Sequence, residues 1–467
     1  MIFSSFQFLF FLIVVMGLLI VVPGSRWRKL ILLVASYYFY AFWDVRFTAL
    51  IFTSTIIDYF VGRQLALTED PRRRKLFLLL SMTANLGFLG FFKYYNFFVD
   101  SAEVILSQWG IGTSNLDIIL PVGISFYTFQ TMSYTIDIFR RKLEPVDSFS
   151  DFALFVAFFP QLVAGPIVRA ADFLPQLKKP VRIRPENVWA GSQIFIVGLF
   201  KKLMIADAVA PFVDRVFAYP DYFSSPTAWL AIIAYAIQIY CDFSGYSDMA
   251  IGTARMLGFH FERNFFMPYI SQNIAEFWRR WHISLSSWLR DYLYISLGGN
   301  RRGPRRTYVN LMITMILGGL WHGASWNFVI WGTAHGVALA VHRYWSRNRK
   351  GETKSGVERW LAVAGTFLFV TLIWVLFRAQ DTTTMLTVYS KLFFLNPAGA
   401  NWFYTDVFVA IAIVVIAHIV GLRRRSDELV FFSSPYSFRA AFVTVTILLI
   451  IFVFAPTNTS PFIYFQF

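Results

Sequence analysis

One histidine, His322, lies in the glycine-rich and uncharged stretch LGGLWHGASWN. Gly319 and Gly323 on either side of it permit a close helix approach or a break in the backbone. A neutral imidazole in such a setting can act as a general base toward a hydroxyl group, a step that typically contributes roughly 10²–10⁴-fold to a rate. The alternative is a histidine that bonds a neighbouring carbonyl inside a helical bundle. Position alone leaves both interpretations open.

Two further histidines have aromatic or small neighbours. His282 lies in FWRRWHISLS, a composition typical of a helix at a membrane interface. The alternative to a functional role is an interfacial histidine whose ring tip reaches toward water. His335 in GTAHG follows His322 by thirteen positions, roughly 220° round a continuous helix, so the two do not share a face unless the helix breaks. We interpret His335 as structural.

Two acids, Asp242 and Asp248, flank a small-residue turn in the apolar segment CDFSGYSDMAIG. A charge at the centre of a membrane helix costs roughly 2.5–3.5 kcal/mol on insertion scales, so it needs a partner or a water-filled cavity. The two carboxylates can bind substrate hydroxyls, or they can pair with Arg279 or Arg280. The second possibility is an internal ion pair that holds the helices together. The sequence does not choose between substrate binding and this structural role.

A basic loop, GGNRRGPRR, runs from Gly298 to Arg306 and includes Asn300, Arg301 and Arg302. Arginine side chains bind phosphate well, so the loop suits a phosphorylated donor such as coenzyme A. Basic loops also follow from membrane topology alone, so this signal is weak by itself.

The sequence lacks the motifs of metal sites, nucleotide-binding sites and serine hydrolases. It contains no zinc-ligand spacing, P-loop, dinucleotide fingerprint or Gly-x-Ser-x-Gly elbow, and its single cysteine, Cys241, excludes an intrachain disulfide. We therefore expect no metal and no permanently bound cofactor. Histidine and acidic residues within the membrane must carry the chemistry.

The elements that position these residues are predicted to be membrane helices. Apolar residues make up 57% of the 467 residues, aromatic residues 19% and charged residues only 15%, which exceeds the apolar content of a soluble domain. The net charge of +15 falls in loops between hydrophobic segments, and this distribution excludes a nucleic-acid-binding face. The composition predicts an all-α integral membrane protein, a multi-pass helical bundle surrounded by lipid.

The apolar segments predict about 9 to 11 crossings with additional re-entrant and interfacial helices, because several segments are shorter than the roughly 20 residues that a crossing needs. The first segment, Phe3 to Val22, lacks the features of a cleaved signal peptide. Phe259 to Arg306 is too charged to cross and is predicted to lie in the interface. No repeat or soluble domain boundary is apparent, so 1–467 reads as a single polytopic membrane domain.

Basic loops predict the orientation of the chain. Placing them all in the cytoplasm puts the N-terminus outside, which is the periplasm of a bacterium. Two apolar segments, Phe152–Ile167 and Val309–Val341, then have basic loops at both ends. Each must be a hairpin or re-entrant, or one of its flanks must break the rule. Re-entry is plausible for the first segment because Pro160, Gly165 and Pro166 interrupt it.

The motifs around His282, His322 and Asp242 make the chain resemble the membrane-bound O-acyltransferase (MBOAT) family. Within that family, the chain resembles the alginate O-acetyltransferase-like subgroup. The resemblance extends over nearly the whole chain. Its most specific part is PYISQNIAEFWRRWHISLSSWLRDYLYISLGGNRRG followed by GGLWHG and the terminal PFIYFQF. Other matching pieces begin at Leu32, Phe91, Leu120, Phe158 and Cys241.

The resemblance implies that His322 is the family's catalytic histidine and that His282 matches a second functional position. It also implies that a cytoplasmic acyl-CoA, here acetyl-CoA, meets the histidine through a tunnel and that the acyl group emerges on the opposite side. We expect an O-acyltransferase of the bacterial inner membrane that serves O-acetylation of an exopolysaccharide such as alginate or cellulose. Substrate contacts are assigned to Asp242, Asp248, Arg279, Arg280, Trp321, Asn300, Arg301 and Arg302.

The chain has almost no extramembrane mass with which to position a polymer. A separate periplasmic acetyltransferase, of the SGNH type, is therefore an expected partner, and resemblance to the alginate system implies the same.

Two alternatives remain at this stage. A lipid-, teichoic-acid- or protein-directed acyltransferase of the same family would share the core motifs. A transporter would use Asp242, Asp248 and His322 as a proton or ion relay, but the hydropathy pattern shows no inverted repeats.

Overall fold

The computed structural model describes residues 1–163, 165–348, 355–424, 430, 432, 434, 437–456 and 461–463. Most of the described residues are helical. These ranges contain no β-strand, and their one β-bridge is an isolated one between Phe223 and Ala400. The predicted all-α class is confirmed. Lys350 and Arg425 of the basic loops, and the last four residues of PFIYFQF, lie outside the described residues.

The described chain packs as two compact units. The first comprises 1–192 and 250–262, and the second comprises 193–249 and 263–467. Every residue predicted to take part in chemistry belongs to the second unit. The prediction of one membrane domain over 1–467 stays a prediction.

The first unit contains nine complete helices and the beginning of a tenth among its described residues. They are α1 Phe6–Val21, α2 Ser25–Ala41, α3 Arg46–Leu67, α4 Pro71–Leu89, α5 Tyr95–Leu106, α6 Ile124–Phe139, α7 Phe149–Ala157, α8 Phe159–Leu162, α9 Ala170–Leu177 and the start of α10 Pro185–Phe200. A π-helix at Gly90–Tyr94 joins α4 to α5, and a 3₁₀ turn at Ser107–Trp109 follows α5.

The second unit contains the helices that position the candidate site. They are α11 Asp207–Ala218, most of α12 Ser225–Met256, α13 Ile274–Arg280, α14 Ile283–Trp288, α15 Gly303–His322, α16 Trp326–Asn348, α17 Gly356–Arg378, α18 Thr382–Leu392, α19 Thr405–Arg424 and α20 Phe438–Phe454. Its π-helices are Lys201–Ala206 and Leu289–Tyr294, and its 3₁₀ turns are Pro220–Tyr222 and Pro268–Ile270.

Several helices have the length and composition of membrane spans. Among the described residues, Pro71–Trp109, Ser225–Met256 and Gly356–Arg378 are long and apolar enough to cross a bilayer. Three shorter apolar helices are Phe6–Val21, Thr405–Gly421 and Phe438–Phe454. These helices agree with a multi-pass membrane protein, whereas the number of crossings and the re-entrant and interfacial segments remain predictions.

Both segments that conflicted with a single crossing are broken in the structure. Phe152–Ile167 is divided between α7 and α8, and the residue between the two helices, Phe158, has a non-helical conformation. Pro160 lies in the first turn of α8, where its missing N–H breaks no helical hydrogen bond. Val309–Val341 is divided between α15 and α16, which pack closely against each other. The long apolar run is therefore a helical hairpin.

Candidate active site

His322 is the last residue of α15, and its side chain is 3% exposed. The helix ends there because Gly323 takes an extended conformation. A Cβ atom at Gly323 would collide with the ring of Phe328, and one at Gly319 would collide with the carbonyl oxygen of Phe328. The two glycines therefore allow α16 to turn back tightly against the end of α15. The sequence pattern around His322 thus produces a buried histidine at a helix end.

His282 lies between α13 and α14, and its side chain is 0% exposed. Its backbone is left-handed, with φ 45° and ψ 55°, a conformation that costs a non-glycine residue about 1–3 kcal/mol. His282 Nδ1 is 3.2 Å from Asn264 Oδ1, which also accepts hydrogen bonds from the backbone N–H and the Oγ of Ser284. Asn264 Nδ2 in turn donates to Ser247 Oγ.

This hydrogen bonding determines the chemical form of His282. Because the amide nitrogen of Asn264 faces Ser247, its oxygen faces the ring and accepts from Nδ1–H, which leaves Nε2 as the basic nitrogen. Burial lowers the pKa of His282 to about 3. The ring is therefore neutral at physiological pH, as a general base or a hydrogen-bonding residue requires.

The two histidines belong to one buried aromatic cluster. The ring centroids of His282 and His322 are 6.5 Å apart, and the ring of Trp321 lies 5.9 Å from the first and 5.1 Å from the second. Trp331 and Phe377 approach the His322 ring at 5.0 and 5.3 Å. The structure therefore brings three predicted site residues together. His282 is 40 positions before His322 in the sequence, and Trp321 is adjacent to His322.

The two candidate acids pair with lysines. Lys201 Nζ is 2.6 Å from Asp248 Oδ2, and Lys202 Nζ is 2.7 Å from Asp242 Oδ1 and 2.9 Å from Asp207 Oδ1. The side chains of Lys202 and its two acids are at most 4% exposed. These contacts agree with the structural alternative for both acids. Substrate binding by either carboxylate remains a prediction.

A π-helix explains how two consecutive lysines reach their partners. Lys201–Ala206 forms a π-helical turn between α10 and α11, and such turns often occur at functional sites. The backbones also approach closely here, because a Cβ at Gly198 would lie 2.5 Å from the carbonyl oxygen of Gly245. The sequence reasoning missed both lysines, although two adjacent lysines at the end of an apolar run were a usable signal.

The end of the chain also reaches Asp242. The backbone N–H of Ile463 donates to Asp242 Oδ2 at 2.8 Å. The fully buried ring of Phe462 lies 4.6 Å from Tyr246 and 5.7 Å from Phe243. Phe243 also contacts the His282 ring, with ring centroids 4.6 Å apart. The described part of the terminal motif, residues 461–463, therefore packs against the residues next to His282, a role that was not predicted from the sequence.

The predicted arginines differ in their surroundings. Arg280 forms a salt bridge with Glu276 at 2.8 Å, whereas Arg279 is exposed. Arg301 and Arg302 are exposed on the loop before α15, and Asn300 Oδ1 accepts a hydrogen bond from the Tyr294 hydroxyl. The ion pairs of Asp242 and Asp248 are with Lys202 and Lys201, and that of Arg280 is with Glu276.

The described residues contain no group of three or more histidine, cysteine, aspartate or glutamate side chains close enough together to hold a metal ion. Cys241 is buried and unoxidised. The arrangement provides two buried imidazoles, exposed arginines and a set of internal ion pairs.

Comparison with known proteins identifies relatives of the whole chain. Residues 143–382 match the sequence profile of the MBOAT, membrane-bound O-acyltransferase, family. The chain is 41% identical to a probable alginate O-acetylase, AlgI, of Pseudomonas putida, with 100% of both chains covered. It is also 41% identical to a peptidoglycan O-acetyltransferase of Helicobacter pylori, over 79% of this chain and 74% of that protein.

A more distant relative is a teichoic acid D-alanyltransferase of Streptococcus thermophilus, 28% identical over 53% of this chain and 65% of that protein. The profile match covers both histidines, and the full-length similarity to the Pseudomonas protein extends beyond the profile. The chain is a multi-pass membrane O-acyltransferase and belongs to the MBOAT family, in its alginate O-acetylase-like subgroup.

Proposed function

We propose that the protein moves an acetyl or other short acyl group from cytoplasmic acyl-CoA across the bacterial inner membrane for O-acetylation of an exopolysaccharide such as alginate or cellulose. The relatives include a probable alginate O-acetylase and a peptidoglycan O-acetyltransferase, and their names support a polysaccharide acceptor. The observation that carries the proposal is the pair of buried histidines, with ring centroids 6.5 Å apart.

His322 handles the proton in the proposed reaction. Its neutral imidazole accepts the proton of an acceptor hydroxyl while that oxygen attacks the carbonyl carbon of the thioester. The carbon–sulfur bond then breaks, and the imidazolium returns the proton to the departing thiolate. Burial favours this cycle, because water that would hydrolyse the thioester is excluded.

His282 positions a substrate in this scheme. The hydrogen bond to Asn264 sets its ring orientation, and the neutral Nε2 can accept a hydrogen bond from the acceptor hydroxyl or the donor. Trp321 contacts both imidazoles and supplies an apolar wall beside the acyl group.

The arginines supply donor binding in this scheme. Arg279, Arg301 and Arg302 are exposed and can bind the phosphates of coenzyme A through charge-assisted hydrogen bonds. Arg280 and Asn300 stand beside them in sequence and complete the predicted donor site. Asp242 and Asp248 contribute through the lysine pairs, which hold α12 near His282, or through direct contact with acceptor hydroxyls.

A periplasmic acetyltransferase of the SGNH type completes the reaction on the polymer. A partner is needed because the chain has almost no extramembrane mass with which to bind and position a polysaccharide. The purified chain alone should acetylate the polysaccharide far more slowly than the chain together with this partner. An equal rate without the partner would contradict the two-protein scheme.

The test of the proposed function compares His322→Ala, His322→Gln and His282→Ala at matched expression. Consumption of acetyl-CoA and acetylation of the acceptor are measured in membranes that contain the partner. Both His322 variants should lose nearly all turnover, because glutamine forms hydrogen bonds but does not cycle a proton near neutral pH. His282→Ala should lose a comparable or smaller part.

Near-normal turnover of a well-folded His322→Ala variant would overturn the catalytic assignment. A parallel assay with lipid, teichoic-acid and protein acceptors separates the polysaccharide proposal from the other acyltransferase possibilities. Preferential acylation of any of these would redirect the acceptor assignment.

A further inference from the structure

A second group of aromatic side chains lies next to His322. Trp331 is at its centre, with His335 at 4.5 Å, Trp278 at 5.7 Å and Trp374 at 6.0 Å between ring centroids. We name these four residues the Trp331 cluster. His335 reaches it because the helix breaks after His322, so the two histidines contact Trp331 from two different helices. The sequence interpretation of His335 as a purely structural residue assumed a continuous helix.

Four polar atoms of the Trp331 cluster have no hydrogen-bonding partner among the described residues. The indole nitrogens of Trp278 and Trp331 and both ring nitrogens of His335 form no hydrogen bond to any residue that the structure describes, whereas the side chain of Trp374 hydrogen-bonds the Tyr269 hydroxyl. Trp331 and Trp374 are 1% exposed and His335 is 0% exposed. Buried polar atoms are nearly always hydrogen-bonded, so four such atoms at adjoining rings indicate a ligand.

The chemistry of these atoms specifies what the ligand must offer. An indole nitrogen only donates, and a neutral imidazole has one donor and one acceptor nitrogen. The unpartnered atoms therefore present three donors against one acceptor. They match a molecule rich in carbonyl oxygens, whereas a cation has no place among so many donors.

The location of the cluster specifies which substrate passes it. On one side, the Trp331 ring lies 5.0 Å from the ring of His322. On the other side, Trp278 is half-buried and is followed in the chain by the exposed Arg279. A donor whose phosphates bind at Arg279 and whose thioester meets His322 would extend its connecting arm past Trp278 and Trp331.

We propose that the Trp331 cluster is a binding subsite for the amide carbonyls of the thioester donor's arm, with His335 and Trp331 as its hydrogen-bonding residues. This inference rests on the proposed function, because it assumes that acyl-CoA is the donor. It assigns His335 a role in recognising the donor and leaves the proton transfer to His322. Entry of the arm displaces Trp278, the member of the cluster that reaches the surface.

The test measures binding of S-ethyl-coenzyme A, a thioether that carries the arm and phosphates but cannot transfer an acyl group. The full-length protein is compared with His335→Phe, which keeps a ring of similar size and removes both nitrogens, and with His335→Gln, which keeps a donor and an acceptor. His418→Phe is the matched control. His418 is buried, and its ring contacts are with Tyr240 and Tyr269.

His335→Phe should weaken binding of the probe about tenfold, which corresponds to the loss of one or two hydrogen bonds, without lowering the melting temperature. His335→Gln should recover part of the affinity, and His418→Phe should bind the probe normally. Unchanged affinity in His335→Phe would overturn the proposal. Weakened binding in both the Phe and Gln variants, together with a fall in melting temperature, would also overturn it, because that pattern indicates a packing role.

The measurement is independent of turnover, so it separates this inference from the proposed function. If His322→Ala retained turnover while His335→Phe lost affinity for the probe, the catalytic assignment would fail and the subsite would stand. If the unsubstituted protein did not bind S-ethyl-coenzyme A at all, both the donor assignment and the subsite would fail.

Discussion

The backbone of His282 is strained, and the surrounding contacts hold it in place. A left-handed histidine persists only when neighbouring interactions over-determine its position, and Asn264 provides three of these through one oxygen atom. Such strain is expected at a functional residue, which must keep one ring orientation. Asn264 is therefore as informative as the histidine itself, although it is inconspicuous in the sequence.

Replacing Asn264 tests this support. Asn264→Leu removes the acceptor of His282 Nδ1–H and of two Ser284 donors, and each buried donor left unsatisfied costs about 1–3 kcal/mol. The melting temperature should fall, and turnover should fall by about tenfold or more because the imidazole is no longer oriented. The exposed Asn115→Leu serves as control and should change neither quantity. Full turnover in Asn264→Leu would show that the orientation of His282 is unimportant.

Lys202, Asp207 and Asp242 form a buried group of three charges in the second unit. Lys202→Met leaves Asp207 and Asp242 without their cation, and breaking a buried pair typically costs about 3–5 kcal/mol. The variant should therefore unfold at a much lower temperature or fail to accumulate. Arg290→Met, which breaks an exposed pair with Asp291, is the control and should cost about 1 kcal/mol or less. Thermal unfolding in detergent measures both.

A triple variant checks that charge is responsible. Lys202→Met combined with Asp207→Asn and Asp242→Asn removes all three charges and should recover part of the lost stability. If it were as unstable as Lys202→Met alone, packing would be the dominant contribution of the lysine.

At the scale of elements, the hairpin of α15 and α16 positions His322. The two helices approach closely at Gly319 and Gly332. A Cβ at Gly319 would collide with the carbonyl oxygen of Phe328, and a Cβ at Gly332 would collide with the carbonyl oxygen of Met315. Small residues are the usual means by which membrane helices come together. The glycines around the histidine are therefore a packing requirement with a catalytic consequence, since Gly319 lies one turn before His322.

Gly319→Ala should push the two helices apart. Overpacking of this kind costs about 1–3 kcal/mol, and the shift moves His322 relative to Trp331, so turnover should fall more than stability. Gly365→Ala on α17 is the matched control, because no atom lies within 4 Å of a Cβ built there. It should be neutral or slightly stabilising, since alanine favours the helix. Equal behaviour of the two variants in turnover and melting temperature would contradict the packing argument.

At the scale of the whole molecule, the distribution of basic loops predicts an external N-terminus and a cytoplasmic GGNRRGPRR loop. Cysteines introduced at Ser4 and Arg302, with Cys241 replaced by serine, should therefore react with an impermeant reagent from opposite sides of the membrane. Labelling from the same side would overturn this topology. The test also bears on the donor, because Arg302 is assigned to bind acyl-CoA from the cytoplasm.

The membrane class was predictable from the sequence because hydropathy and charge clustering are local properties of the chain. The catalytic candidate His322 was predictable for the same reason, since its glycines and apolar neighbours lie within a few positions of it. The break after His322 was only partly predictable. Glycines permit a helix to end, whereas the collision that Gly323 avoids with Phe328 depends on how α16 folds back.

The tertiary structure decided which side chains meet. Asp242 and Asp248 pair with Lys202 and Lys201, which precede them by 40 and 47 positions and lie in a π-helical turn. No hydrophobic periodicity encodes this pairing. His335 joins His322 across Trp331 only because two helices pack side by side. Composition and periodicity determine where helices form and which residues are buried, but the partner of a buried polar group depends on the packing of segments distant in sequence.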